Sequence, residues 1–382
     1  MIYLDNAATT FPKPKQVVNA ITNSLLNLSA NPGRSGHAIS QAAAIAVYEV
    51  REKAARLFGA PSAEQVVFTP NCTTSINYVL KGLLKKGDRV LTSSLEHNAV
   101  VRPLTVLKKY GVDFDVFEAD IDESDITFKN FLNAVKPDTR LVICTHASNV
   151  TGTVLPIEQI GQYCKQHGIL FAVDAAQSAG VLNIDMAKMG IDYLCIAAHK
   201  GLYAPMGTGM LIIASDTPDT IIEGGTGTES INFNQPTEPP ERFESGTINL
   251  PGIVGIGAGI DFVNQKGMEQ ILFHERQIIK AAYERLSKTS GIKLYTNRYY
   301  DKAPILSFNI AGMNSVAVAN DLNSYGVAVR AGLHCAPFAH KRIGTIDMGT
   351  VRIAPSAFTS ESQMIKATEF ISKIAAKSKG IF

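Results

Sequence analysis

The sequence predicts an α/β protein built on a mostly parallel, helix-covered sheet of seven strands, followed by a smaller α+β domain. Two observations carry this. From about residue 40 to 260, short β-branched runs alternate with stretches of helical periodicity, the pattern of strand and helix units wound into one sheet. The runs are also almost continuously apolar, so both faces of the sheet must be covered.

The strands fall at Val66–Phe68, Val90–Thr92, Asp113–Phe117, Leu141–Thr145, Leu170–Asp174, Asp192–Ala197 and Gly209–Ile213, most of them joined by amphipathic segments such as Pro156–His167. Residues 224–240 are rich in glycine and proline and lack periodicity, which predicts a long functional loop. Beyond Gly252 the pattern predicts a helix from about Met268 to Thr289, strands at Ile305–Ile310 and Val327–Arg330, and a closing helix near Glu361–Ala376. Residues 377–382 read as a loose tail. The expected division is an N-terminal arm over 1–15, a large domain over 16–255 and a small domain over 256–382.

The 382 residues carry 36 basic against 34 acidic side chains, with no long basic run and no interleaved aromatic stripe. Nucleic acid is therefore a poor partner. The first residues have neither a basic nor an apolar leader region, and no segment reaches a membrane-spanning apolar length, so the expectation is a soluble cytoplasmic protein. Five scattered cysteines (Cys72, Cys144, Cys164, Cys195 and Cys335) lack the close pairs of metal or redox motifs. Cys144 and Cys195 lie in apolar runs and read as small hydrophobes.

Chemistry concentrates at the predicted strand ends. Lys200 directly follows the apolar run ending at Ala198-His199 and precedes a Gly/Pro-containing loop. An unpaired ammonium there would be costly, whereas an amine held as an imine would not. Asp174 ends another parallel strand, at the edge where ligands of open sheets bind, or serves there as a plain helix N-cap. Thr69–Ile76 joins a strand to a helix, so its amides and the hydroxyls of Thr73 and Thr74 form an anion site or a plain capping run. Cys72 reads as a bystander in it. His97 opens a further helix, either as a surface histidine or as a planar ring able to stack on a flat cofactor.

The combination resembles the class V aminotransferases of fold-type I, which use pyridoxal phosphate (PLP), and within them the cysteine desulfurases and selenocysteine lyases. The resemblance runs through residues 2–10, Glu96-His97-Asn98, His146–Gly152, Val173–Ser178, His199-Lys200 and Phe243–Thr247. It implies that Lys200 carries the cofactor, that Asp174 pairs with the ring nitrogen and that Gln177 faces the phenolic oxygen. His97 would stack on the ring and joins Lys200 and Cys335 among the catalytic residues. Thr73, Thr74 and His199 would hold the phosphate, with Thr247 reaching it from the other subunit of a homodimer. Ala197 departs from the family pattern, which commonly has a serine phosphate ligand three residues before the lysine.

The last constellation is Val329–Ala336, containing Arg330, His334 and Cys335, followed by Arg352 after 16 intervening residues from Cys335. In the resembling enzymes this cysteine attacks the substrate sulfur and the later arginine clamps the substrate carboxylate. Cys335 and Arg352 match those positions, with Asn149 and Arg330 as further substrate contacts. The flanking arginine and histidine offer the cationic surroundings that favour a reactive thiol. The implied reaction takes sulfur from L-cysteine, leaves a persulfide for a sulfur-acceptor protein and releases alanine. A selenocysteine lyase would keep the same site and act on L-selenocysteine. A class V aminotransferase or epimerase would have no use for Cys335. A nucleotide-binding module is disfavoured, because the dinucleotide fingerprint is absent after the first strands.

Overall fold

The computed structural model describes residues 1–33 and 35–378. β1 (Ile2–Tyr3), α1 (Lys15–Asn27) and α2 (Ala38–Phe58) precede the sheet. Then come β2 (Val66–Thr69), α3 (Cys72–Leu83), β3 (Arg89–Ser93), α4 (Asn98–Lys108), β4 (Asp113–Phe117), α5 (Ser124–Ala134) and β5 (Thr139–Thr145). They are followed by α6 (Ile157–Gln166), β6 (Leu170–Asp174), α7 (Met186–Met189), β7 (Tyr193–Ala197) and β8 (Gly209–Ile213). After a long irregular segment the chain continues with α8 (Leu250–Lys266), α9 (Met268–Leu286), β9 (Ile292–Leu294), β10 (Leu306–Ile310), α10 (Ser315–Ser324) and β11 (Val327–Ala328). It ends with β12 (Arg330–Gly332), α11 (Pro337–Arg342), β13 (Thr350–Ile353) and α12 (Glu361–Ser378).

The seven predicted strands form one sheet in the order β2-β8-β7-β6-β5-β3-β4. β8 runs antiparallel to both neighbours, and the pairs from β7 to β4 are parallel. Two buried clusters sandwich this sheet: side chains such as Leu91, Val142, Phe171 and Leu194 face one layer of helices, and Val90, Leu141, Ala172 and Tyr193 face the other. This is the two-sided burial that the continuous apolar runs require. Cys144 and Cys195 are fully buried in β5 and β7.

A four-stranded antiparallel sheet, β12-β13-β10-β9, packs with α9, α10 and α12 around a third core that also takes in Leu4. The run Val327–Arg330, expected as one strand, splits between two sheets. β11 pairs with β1, while β12 turns away to pair with β13. The predicted helix from Met268 appears as α9, and the closing helix extends to Ser378; the rest of the expected tail, residues 379–382, lies outside the described residues. Residues 224–240 form no helix or strand, as expected of a long loop.

α8 is among the elements that the sequence reading does not predict. Its glycines at 252, 255, 257 and 259 lower helix propensity, yet contact demands them. A Cβ on Gly259 would lie 1.9 Å from the Leu202 carbonyl oxygen, and one on Gly257 would lie 2.6 Å from Val50. α8 thus lies directly against the backbone of the loop that follows Lys200. Gly259→Ala is expected to cost roughly 2 kcal/mol or more through forced displacement. Gly36→Ala, whose Cβ would meet nothing within 4 Å, should change stability by less than about 0.5 kcal/mol. Urea unfolding of both variants checks this, and equal stability would show that α8 can shift freely.

Candidate active site

The C-terminal ends of β5, β6 and β7 converge on a cavity of about 230 Å³. Lys200, Asp174, Gln177, His97, His199, Asn149, Thr73 and Cys72 line it, with Ala197 on the same wall. Asp174 and Lys200 face each other across adjoining strand ends, since β6 and β7 are parallel neighbours. Asp174 is 3% exposed, and its Oδ1 accepts from the Ala176 amide at 2.9 Å. Burial pulls the Lys200 pKa below the usual lysine range, and the Asp174 charge opposes the fall. Thr10 Oγ1 donates to the carbonyl oxygens of His199 and Lys200, so the N-terminal arm fixes the backbone of this turn.

α3 opens beside the lysine. Asn71 caps it, accepting from the Thr74 amide at 2.9 Å, while the amides of Cys72 and Thr73 have no acceptor among the described residues. These two free amides at a helix N-terminus are an anion cradle. His199, whose Nδ1 is buried without a partner, adds a further polar atom to the cavity wall. Burial and the neighbouring Lys200 and Lys13 lower the His199 pKa to about 4. His97 caps α4 through Nδ1, accepting from the Ala99 amide at 3.0 Å, so the capping and cavity-lining readings hold together. Burial lowers its pKa as well, which keeps the ring neutral.

The thiol of Cys335 is exposed and lies at the rim rather than among the lining groups. Its carbonyl oxygen accepts from the Asn98 amide at 2.7 Å, and the His334 carbonyl accepts from Asn149 Nδ2 at 2.7 Å. Both residues sit at positive φ, 47° for His334 and 56° for Cys335, a conformation unfavourable to side chains that these bonds hold in place. His334 is buried with its pKa depressed to about 2, mainly by burial, so it contributes no positive charge. His334 therefore does not supply the cationic character expected around Cys335.

Arg352 is 2% exposed and donates to the Asn149 carbonyl and to Asp5 Oδ1, each at 2.9 Å, while its Nε is buried without a partner. Arg330 stands directly opposite it across β12 and β13. Two like charges in cross-strand register repel, and an anion placed between them relieves that repulsion. Thr74 and Thr247 lie elsewhere: both line an adjoining cavity, with Gly209 and Phe243, and not the one that holds Lys200.

Residues 2–364 match the family described as Aminotransferase class-V. The chain belongs to that family. Relatives include a probable cysteine desulfurase of Methanothermobacter thermautotrophicus, 35% identical with 98% of this chain and 94% of the relative covered. A probable cysteine desulfurase of Pyrococcus abyssi is also 35% identical, over 94% of this chain and 90% of the relative. The apo structure of a cysteine desulfurase from Thermococcus onnurineus NA1 superposes with a TM-score of 0.92 at 32% identity, covering 98% of this chain and 95% of that one.

Class V aminotransferases are PLP-dependent, and the cavity fits such a group. It offers free helix-terminal amides and an orphaned histidine nitrogen for a phosphate, a buried carboxylate for a ring nitrogen, and a lysine on the same lining. Ala197 supplies no hydroxyl to this cradle. Two residues that sequence reasoning passed over belong to the site. Cys72, read as a bystander, lines the cavity against Asp174, and Asp5 holds Arg352. Cys72 lies within the strand-to-helix run already singled out, but pairing of Asp5 with a residue 347 positions away has no local signal.

Behind His97, Glu96 is fully buried; its Oε1 accepts from Ser93 Oγ and from the Thr145 amide. Burial raises its pKa from 4.5 to about 8, against the pull of those bonds. An acid raised on folding contributes stability in full below the unfolded value, and loses it as pH rises through the folded value. Glu96→Gln is therefore expected to flatten the fall in stability between about pH 4.5 and 8, by on the order of a few kcal/mol at most. Denaturant unfolding at several pH values measures this, and parallel pH profiles for the two proteins would place the Glu96 ionisation in the ordinary range.

Proposed function

We propose that the chain is a PLP-dependent cysteine desulfurase that converts L-cysteine to L-alanine and carries the released sulfur as a persulfide on Cys335. The observation that carries this reading is the joining of two parts. The Lys200 and Asp174 cavity can hold PLP, and the exposed Cys335 stands at its rim on a backbone whose carbonyl oxygens, of His334 and Cys335, accept from Asn149 and Asn98. An aminotransferase or epimerase would need the first part alone.

Thr73, His199 and the α3 amides would hold the phosphate, while Gln177 and His97 would contact the ring. Arg352 and Arg330 take the substrate carboxylate, with Asn149 bridging that site to the Cys335 loop. When bound, PLP accepts the electron pair released from the substrate Cα. Lys200, whose pKa burial lowers, gives up its own proton more readily than an ordinary lysine and so suits removal of the Cα proton. Asp174 would pair with the ring nitrogen and favour its protonated form. The Cys335 thiolate attacks the substrate sulfur; the carbon–sulfur bond breaks, its electron pair stays with carbon, and protonation there gives alanine.

The persulfide remains on an exposed residue, from which an acceptor protein can collect it. The short segment between β12 and β13 keeps that residue near the cavity mouth. The functional unit is a homodimer. Ile231 is 95% exposed and Phe233 fully so, in the same long loop as Thr247, an apolar surface suited to burial against a second copy that delivers Thr247 to the phosphate. No helix among the described residues is long and apolar enough to cross a membrane. Free cysteines throughout fit a reducing, cytoplasmic setting.

Alanine production from L-cysteine with a thiol reductant tests the reading. Cys335→Ala should bind PLP normally yet lose at least about a hundredfold in this activity, because the nucleophile is gone. Activity on L-selenocysteine should fall much less, since selenium is the better leaving group. Equal retention of both activities would remove Cys335 from the reaction and favour the aminotransferase reading.

A further inference from the structure

Cys72 is the first residue of α3, a position that ordinarily eases a thiol toward its thiolate. Here the opposite holds. Burial, followed by the negative charge of Asp174, pushes its pKa well above the usual thiol range. The proton stays on sulfur, and Sγ donates to Asp174 Oδ1 at 3.4 Å. The Ala176 amide occupies the same oxygen, so Oδ1 carries two donors while Oδ2 has none among the described residues. The other titratable groups that feel the Asp174 charge are Glu96, His97, Cys144, Cys195 and Lys200. Of these and Cys72, the Cys72 thiol alone hydrogen-bonds to the carboxylate among the described residues.

We propose that Cys72 is a positioning residue acting through Asp174: its thiol fixes Oδ1, turns Oδ2 toward the cofactor's ring nitrogen and draws off part of the carboxylate charge. This rests on Asp174 being the ring-nitrogen partner. Cys72, inside the cavity, and Cys335, at its rim, then have separate duties. Cys335 is exposed and exchanges sulfur, whereas Cys72 is enclosed, keeps its proton and carries no sulfur. A small apolar side chain at position 72 would fill the space but leave the carboxylate with one donor fewer.

The test is the pH titration of the bound cofactor's absorbance in the holoenzyme, for wild type, C72S, C72V, C72A and D174N. The absorbance reports the proton on the imine formed with Lys200; losing a donor makes the carboxylate more basic, so it takes a larger share of the ring-nitrogen proton, the ring withdraws fewer electrons, and the imine keeps its proton to higher pH. C72V is expected to move up by about half a unit, and C72S, which keeps a donor, to stay with wild type. C72A removes the donor without adding bulk and should follow C72V; it decides the matter if C72V fails to fold. D174N should move furthest. A wild-type titration for C72V and C72A beside a shifted D174N would overturn the proposal, as would a C72S shift equal to theirs, which would reduce Cys72 to packing. An unshifted D174N would overturn it differently, by removing Asp174 as the ring's partner.

Discussion

Lys200 and Asp174 are held within one cavity because β6 and β7 are parallel and adjacent, so both residues leave the sheet at its C-terminal edge. The pairing sets the rest of the design. A buried amine beside a buried carboxylate is costly unless each has a partner, and the structure surrounds them with groups that fix position and not charge. Thr10 and Lys13 bind the carbonyl oxygens of the lysine turn, while Gly259 lets α8 come up against Leu202 from behind. Burial lowers the pKa of the nearby histidines, so the fixed positive charges beside the lysine are those of Arg330 and Arg352.

The C-terminal sheet contributes a second, separable function. β12 and β13 bring Arg330 and Arg352 into register, and the segment joining those strands carries Cys335. Its strained backbone at residues 334 and 335 is tied to Asn98, which opens α4, and to Asn149 in the segment after β5. Asn149 also accepts from Arg352, so carboxylate binding and placement of the thiol share one residue. In the proposed chemistry this shared anchor brings the substrate sulfur and the Cys335 thiol to the same mouth.

Strand positions were legible because apolar β-branched runs have few alternatives, and Lys200 and Asp174 were legible because charged residues at such strand ends need a reason. α8 was hidden by its glycines, whose purpose is a contact with Leu202 more than 50 residues earlier. The split of Val327–Arg330 was hidden for a similar reason: pairing with β1 at one end and β13 at the other is a tertiary choice that local propensity does not record. The neutral state of His334 and the Cys72 contact with Asp174 both follow from burial, which becomes visible only once the fold closes over them.

The central claim is that sulfur leaves the substrate by attack of one particular thiol at the rim of this cavity. Mass spectrometry of the holoenzyme after a single turnover with L-cysteine, without reductant, reads the outcome directly. The account predicts one added sulfur atom on the peptide containing Cys335 and none on the peptides containing Cys72, Cys144, Cys164 or Cys195. Alanine formed in stoichiometric amount with Cys335 left unmodified would contradict it.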